Sequence, residues 1–335
     1  MVTKPVDQYL VQAARQAWLD AGDERLLPLV DAHHHYWDPV RNPHPWLQRR
    51  PRIAFRYGDY EPICREFLPP HYDEAARDHL VVGHVTMEGE WDPADPSGEA
   101  RWISALAAAT GEPQAHAAQV WLDREDLAAV LAVYRALPLV RSVRHKPATL
   151  ARAAHHEHFA APGSMRCPRW RDGYARLAPA GLMFELQVPW WHFGEALELA
   201  RDFPATTIVV NHAGLPAERD AASLAAWRRA LALLADCANV VVKLSGIGVP
   251  GRRWTPELQR PVLDTLIDAF GTGRCLFASN FPVDGLCASF DEIASTFKVL
   301  TRRFTPAERL ALACDNALRL YRLFPPCSPP QEALA

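Results

Sequence analysis

The sequence lacks any Cys-x-x-Cys pair, although it contains seven cysteines among its 335 residues. An odd number of widely spaced cysteines argues against a disulfide framework and against a zinc site built from thiolates. The chain has 14 histidines, which is enough for an imidazole site. Any metal ion bound here is therefore expected to be held by imidazole and carboxylate groups.

The sequence also lacks an excess of one charge and a long apolar run. Its 36 Lys and Arg residues face 39 Asp and Glu residues, and the positive charges are scattered. This pattern argues against nucleic acid as a partner. No apolar run reaches the roughly 18 residues that cross a bilayer, and acidic residues interrupt the first thirty positions, where a signal peptide would be apolar. We therefore expect a cytoplasmic protein that does not bind membranes.

What the sequence does contain is a recurring alternation of short apolar runs and longer segments with helical spacing. The runs are rich in Val, Ile and Leu, as buried parallel strands are. Eight of them occur, at 27–33, 79–87, 115–123, 138–146, 181–188, 206–214, 239–246 and 274–281. Helices are predicted near 99–110, 124–137, 169–179, 192–203, 218–236, 256–270, 287–301 and 305–320.

Eight strand–helix units in a chain of this length predict a (β/α)8 TIM barrel. The main rival, an open doubly wound sheet, usually has a glycine-rich phosphate turn after its first strand, and Val30 is followed here by Asp-Ala-His. We predict an N-terminal helical extension over 1–26, the barrel over 27–323 and a C-terminal tail over 324–335. Long insertions are expected after strand 1 (36–78) and after strand 4 (147–168).

Three consecutive histidines stand at the end of the first predicted strand, in the stretch VDAHHHYWDP. Residues two apart in a strand point to the same face, so His33 and His35 project together while His34 points away. Two imidazoles side by side can approach one cation. Asp31 precedes them on the same face as a supporting group or core acceptor. The simpler alternative is a polar loop start with one packed histidine.

Other predicted strands end in polar groups as well. The sixth run ends in VVNHAGLP and presents His212, and the eighth ends in LFASNFPVD and presents Asn280 and Asp284. The fourth run ends in VRSVRHKP and presents Arg141, Arg144, His145 and Lys146. Since the carboxyl ends of all strands of a barrel meet at one face, these groups are expected to share one pocket.

Together these motifs resemble the amidohydrolase superfamily, and most closely its amidohydrolase-2 branch, which includes sugar-lactone and dicarboxylate-lactone hydrolases. The resemblance is carried by DAHHHYWDP, RHK, NHAGLP and RCLFASNFPV in this order and covers about residues 27–323. A lone His-x-His is a weak signal, but the ordered set with these separations is fairly specific.

The resemblance implies that His33, His35 and His212 match the family's metal ligands and that the cofactor is one divalent ion, zinc being the usual one. His212 is also a candidate catalytic group. The fifth run reads FELQV and lacks the histidine of the binuclear members. A two-metal site bridged by carbamylated Lys146 is the less favoured alternative.

The family's strand-8 aspartate is replaced here by Asn280. An amide cannot accept a proton at neutral pH and is a poor zinc ligand compared with a carboxylate. The general base is therefore open between Asp284, if the following turn returns it to the barrel mouth, and Glu185, if it faces the barrel interior.

The resemblance favours hydrolysis of a small molecule, with Arg144, His145, Arg56 and Tyr57 as candidate substrate-binding groups. The expected reaction is the opening of a lactone by an activated water. Two alternatives remain: non-oxidative decarboxylation of an aromatic or unsaturated acid, and a ligand-binding barrel that has lost turnover, to which Asn280 points. The N-terminal helix is a candidate contact for a homo-oligomer.

Overall fold

The computed structural model describes residues 6–324, and its eight parallel strands form one sheet with the order β1 to β8. Each strand pairs with the next along the chain, which confirms the predicted barrel. Seven strands lie within their predicted runs, and β1 extends one residue beyond its run, to His34. The bounds are β1 Leu29–His34, β2 Val81–Met87, β3 Ala115–Gln119, β4 Val140–Arg144, β5 Met183–Leu186, β6 Ile208–Val210, β7 Val240–Leu244 and β8 Cys275–Phe277.

The helices lie on the outside of the sheet, and all those predicted are found. They are α1 Gln8–Ala21, α2 Pro45–Gln48, α3 Pro69–Ala76, α4 Gly98–Thr110, α5 Leu127–Ala136, α6 Pro168–Tyr174, α7 Phe193–Asp202, α8 Ala221–Ala235, α9 Pro256–Phe270, α10 Phe290–Leu300, α11 Pro306–Leu310 and α12 Asn316–Leu320. A π-helical turn, Ala311–Asp315, joins the last two. The Thr-Pro signals act as predicted, since Thr255 accepts a hydrogen bond from Leu258 N at 3.3 Å and Thr305 caps α11 in the same way.

The insertion predicted over 36–78 needs a correction, because its last part is a barrel helix. Helix α3 packs against α10, with the Tyr72 and Phe290 rings 5.5 Å apart, and so fills the helix position after β1. Its sequence, PPHYDEAA, begins with two prolines and has little apolar periodicity, which is why the pattern did not predict it. The irregular part of the insertion is therefore shorter, and α2 is its one α-helix among the described residues.

The predicted extension contains α1, which begins at the Asp7 N-cap and ends at Gly22 in the left-handed conformation. Its exposed apolar side chains include Tyr9 and Leu10. The contact with a second subunit through this helix stays a prediction. The domain bounds stay predictions too, and 325–335 of the predicted tail lies outside the described residues. Over the part of the chain that the structure describes, none of the helices has the length and hydropathy of a membrane span.

The barrel closes between β1 and the residues that follow β8. Asn280 N donates to His33 O at 2.7 Å, and His35 N donates to Phe281 O at 2.8 Å. These two bonds continue the ladder past the end of β8, with His34 bridged in parallel to Phe281. The closing seam therefore runs through the three histidines and Asn280.

The barrel interior contains a buried ion pair below this seam. Lys243 Nζ lies 2.8 Å from Glu185 Oε2, and both side chains are fully buried. Ser142 Oγ, Asn211 Nδ2 and Tyr321 OH also donate to the Glu185 carboxylate, at 3.0, 2.7 and 2.6 Å. Burial lowers the pKa of Lys243 to about 8, although the negative charge of Glu185 raises it. The pair thus joins β4, β5, β6, β7 and the C-terminal end of the described chain.

We predict that Lys243→Met lowers the free energy of unfolding by about 3–5 kcal/mol, because it leaves the Glu185 carboxylate buried without its counter-charge. Urea denaturation measures this loss. Arg303→Met is the matched control, since it removes an exposed partner of Asp268 and should cost at most about 1 kcal/mol. Equal costs for the two variants would contradict a structural role for the buried pair.

Candidate active site

The histidines at the end of β1 divide between the two faces of the strand. The His33 ring lies 5.3 Å from the His35 ring and 4.5 Å from the His212 ring, centroid to centroid. The His34 ring instead packs against Tyr72 and His84, at 4.5 and 5.4 Å. The structure thus brings together the three imidazoles that the sequence assigned to metal, and His34 belongs to the packing outside the barrel.

His212 reaches this cluster through a tight turn after β6. His212, Ala213 and Leu215 all have φ between 55° and 58°, a conformation that costs free energy for residues other than glycine. A Cβ atom at Gly246 would lie 2.4 Å from the His212 ring, so glycine is required there for the ring to occupy its position. This glycine, at the end of β7, is a site residue that sequence reasoning missed.

The three imidazoles are neutral because they are almost completely removed from water. Burial is the main cause that lowers the pKa of each, to about 3 for His35 and well below 6.5 for His33 and His212. Lys243 adds to the lowering at His33, Arg144 at His35 and Arg56 at His212. Neutral imidazole is the form that can bind a metal ion.

The free ring nitrogens fit a divalent metal ion. Within the described chain neither nitrogen of the buried His33 ring has a hydrogen-bond partner, which is costly unless another group uses the lone pair. His35 Nδ1 lies 3.1 Å from Met87 O and His212 Nδ1 lies 3.1 Å from Ser245 Oγ. Donation through Nδ1 leaves each Nε2 lone pair available, as ligating histidines require. The donor atoms of the three rings do not all lie within 4.8 Å of one another, so coordination would include small ring rotations.

The Asp284 carboxylate contacts Asn280 on the side away from the inner cavity. Its Oδ1 accepts hydrogen bonds from Asn280 Nδ2 at 2.7 Å and from Tyr57 OH at 2.8 Å, and its Oδ2 accepts one from Gly246 N at 2.9 Å. Arg56 Nη2 lies 3.6 Å from the same carboxylate. Burial raises the pKa of Asp284, and Arg56 and the hydrogen bonds oppose the rise. The turn after β8 thus brings a buried carboxyl group beside Asn280, which holds it through its Nδ2–H group.

Glu185, the other candidate base, lies in the interior pair with Lys243 described above. Four donors contact its two oxygens. Neither Glu185 nor Asp284 is among the residues that line the cavities at the barrel mouth, but Asp284 contacts Asn280 and lies 3.6 Å from Arg56, and both of these line the inner cavity. These contacts favour a structural role for Glu185 and leave Asp284 as the better candidate.

The predicted substrate-binding groups at the end of β4 are largely engaged by protein atoms. Arg144 donates to Glu88 Oε1 at 2.5 Å, to Glu88 O at 2.7 Å and to Gln187 Oε1 at 3.0 Å. His145 Nδ1 accepts hydrogen bonds from Leu122 N and Trp170 Nε1. Sequence reasoning missed Glu88 and Gln187, although both come directly after strands β2 and β5 and the strand-end rule used above would have found them.

Two adjoining cavities open at the carboxyl ends of the strands. The inner one, of about 190 Å³, is lined among others by His35, His212, Asn280, Arg56 and Arg144. The outer one, of about 320 Å³, adds Trp91, Trp121 and His145. Trp46, Glu88, Glu90, Arg144 and Lys146 border both. Lys146 is paired with Glu90 and is 39% exposed, which makes it a poor bridge between two buried metal ions.

Comparison with known proteins relates the whole barrel to one family. The Amidohydrolase family model matches residues 30–323. The uncharacterised protein y4mH of Sinorhizobium fredii is 35% identical over 297 residues, which cover 89% of this chain and 99% of y4mH. The L-fucono-1,5-lactonase of Burkholderia multivorans is 28% identical over 311 residues, which cover 88% of this chain and 96% of the lactonase.

Solved structures of a Burkholderia multivorans amidohydrolase have the same fold. One, with bound HEPES, gives a TM-score of 0.73 at 26% identity and covers 89% of this chain and 99% of its own. A second, with bound zinc, gives a TM-score of 0.72 at 26% identity with the same coverage. A structurally similar barrel therefore binds zinc.

We predict that His33, His35 and His212 stay neutral between about pH 5 and pH 8, because burial lowers the pKa of all three. Long-range ¹H–¹⁵N spectra, assigned with single His→Asn variants, distinguish neutral rings from protonated ones. The urea-unfolded chain is the control, in which the same rings should titrate near 6.5. A ring of the folded protein that titrates near 6.5 would contradict the burial of this cluster.

Proposed function

The chain belongs to the amidohydrolase family, and from that premise we propose that it is a metal-dependent hydrolase that opens the ring of a small lactone. The observation that carries the proposal is the meeting of three neutral imidazoles with Asn280 and the Asp284 carboxylate where the barrel closes. The relative named as a lactonase supports the ester class of substrate.

In this proposal His33, His35 and His212 hold one divalent ion, zinc. The free His33 nitrogens and the lowered pKa values of the three rings support it, as does the zinc bound in the Burkholderia multivorans amidohydrolase. An ion held there would supply Lewis-acid polarisation of the ester carbonyl. Met87 O and Ser245 Oγ orient the His35 and His212 rings.

Asp284 is the proposed general base. Burial raises its pKa above the ordinary value of 3.8, so its carboxylate form is a better proton acceptor than that of an exposed aspartate. Tyr57 stays protonated, because burial raises its pKa well above 10, and its hydroxyl can only donate to Asp284. Asn280 lines the inner cavity and contacts Asp284, and therefore connects the base with the substrate space.

The charges around the inner cavity favour a substrate with hydroxyl groups over a dicarboxylate. Arg144 and Lys146 are paired with Glu88 and Glu90, so their positive charge is largely neutralised. Arg56 is the cation with the looser pairing, at 3.6 Å from Asp284. We propose that Arg56, Arg144 and His145 orient hydroxyl or carbonyl oxygens of the lactone, while Tyr57 acts through Asp284.

The function is tested with a panel of sugar and other lactones, in which acid release is followed with a pH indicator. The expected result is lactone opening that requires added zinc and that His33→Ala and His35→Ala each abolish while the fold stays intact. Release of carbon dioxide from aromatic acids would favour the decarboxylase alternative, and tight ligand binding without turnover would favour a ligand-binding barrel. His34→Asn is the matched control, because His34 lies outside the barrel. The His34→Asn variant should have a lower Tm, but its folded fraction should keep the activity of the unsubstituted protein.

We further predict that Asp284→Asn lowers kcat by about 100-fold or more, as loss of a general base does, and that Asn280→Ala lowers it less. Since the folded pKa of Asp284 is raised, activity of the unsubstituted enzyme should fall as the pH drops through that raised value. This acid limb should disappear in Asp284→Asn. The opposite order of the two variants would make Asn280 the essential group and Asp284 a turn residue.

A further inference from the structure

A second cluster of metal-ligand residues lies away from the barrel mouth. It consists of His155, in the loop between β4 and α6, His192, before α7, and Glu195, in the first turn of α7. Among residues 6–324 it is the one group of three His, Cys, Asp or Glu side chains whose donor atoms all lie within 4.8 Å of one another. None of the three lines the cavities described above.

The geometry of this cluster is close to that of a metal site. His155 Nε2 and His192 Nδ1 each lie 3.0 Å from Glu195 Oε1, and the two rings are 4.5 Å apart. In a tetrahedral zinc site with bonds of about 2.0–2.1 Å, the ligand atoms are about 3.3–3.4 Å from one another. The two nitrogen–oxygen distances would therefore lengthen by a few tenths of an ångström around an ion, and the donor atoms already lie within 4.8 Å of one another. Two His and one Glu are a known zinc ligand set that leaves a fourth position for water.

The main chain of Leu150 offers His192 Nε2 both a hydrogen-bond donor and an acceptor. Leu150 N lies 3.0 Å from His192 Nε2 and Leu150 O lies 3.3 Å from the same atom. Without metal, Nδ1–H donates to Glu195 and Nε2 accepts from Leu150 N–H. With metal on Nδ1, the proton would move to Nε2 and be donated to Leu150 O, the usual partner arrangement of a ligating histidine, after a small movement of Leu150 that turns its N–H away from the ring.

Burial and charge also suit a cation. His192 and Glu195 are 1% and 2% exposed, and the His155 side chain is 19% exposed, which gives an ion a path from solvent. In the described part of the chain Glu195 has ion-pair contacts with these two histidines and with no Lys or Arg. The carboxylate is thus not neutralised by a permanent positive charge.

We propose that His155, His192 and Glu195 form a site for a divalent transition metal ion, zinc by its ligand set, with water in the fourth position, and that the bound ion fastens the β4–α6 loop to the start of α7. Between Arg144 and Pro168 this loop has one 3₁₀ turn, Arg152–Ala154, as its regular structure. An ion that joins His155 to α7 would order it. The site is independent of the proposed ion at the barrel mouth.

The test removes the barrel-mouth site first. Full-length chain with His33→Ala and His35→Ala is titrated with Co²⁺ by equilibrium dialysis and by the visible absorption of tetrahedral cobalt, and then with Zn²⁺. The expected result is one equivalent bound and a rise in Tm of about 4 °C at a hundredfold excess over Kd. Adding His155→Ala should remove both effects. The matched control, His158→Ala, removes a histidine of the same loop that is 86% exposed and should remove neither.

A second comparison does not depend on the barrel-mouth variants. The unsubstituted chain should bind one equivalent of Zn²⁺ more than the chain with His155→Ala alone, as measured by mass spectrometry of the dialysed protein. No bound equivalent in the double variant, or equal stoichiometry with and without His155, would overturn the proposal. The cluster would then be a hydrogen-bonded triad in which two imidazole N–H groups share one carboxylate.

Discussion

The arrangement of the candidate site depends on how the barrel closes. β8 ends at Phe277, and the closing hydrogen bonds are made by Asn280 and Phe281, beyond the strand, with the main chain of His33 and His35. The backbone groups that complete the sheet therefore belong to the same residues whose side chains form the site. A register shift at this seam would turn His33 and His35 to the outside and His34 to the inside, so fold and site are specified by the same bonds.

The features of the fold that follow from local patterns could be predicted from the sequence. Eight apolar runs and the helical spacing between them predicted the strands, the outer helices and the barrel, and the period of two in a strand predicted which histidines share a face. The pattern missed α3, whose packing against α10 depends on contacts between distant residues. It also missed the need for Gly246 and the pairing of Lys243 with Glu185. Both depend on which side chains meet across the barrel, and a single sequence does not contain that information.

The charges inside the barrel explain why the imidazoles can stay neutral and free. Glu185 is paired with Lys243 and Glu88 with Arg144, at 2.8 and 2.5 Å. Burial and the cation of each pair, Lys243 at His33 and Arg144 at His35, lower the pKa of these rings, and at His35 they outweigh Glu88, which raises it. The site therefore contains neutral, buried imidazoles next to two ion pairs, Lys243–Glu185 and Arg144–Glu88.

The asparagine at position 280 is explained by its neighbour. Asn280 Nδ2 lies 2.7 Å from Asp284 Oδ1, so an aspartate at 280 would bring two carboxylates together in a buried space, and one of them would have to keep a proton. The amide avoids this repulsion and donates a hydrogen bond that fixes the Asp284 carboxylate. The negative charge that the resemblance predicted at position 280 is absent, and a carboxylate lies four residues further along the chain, where Tyr57 OH and Gly246 N donate to it. Asn280 is therefore compatible with a catalytic site, because its amide holds the Asp284 carboxylate beside the position where an aspartate at 280 would have placed its own.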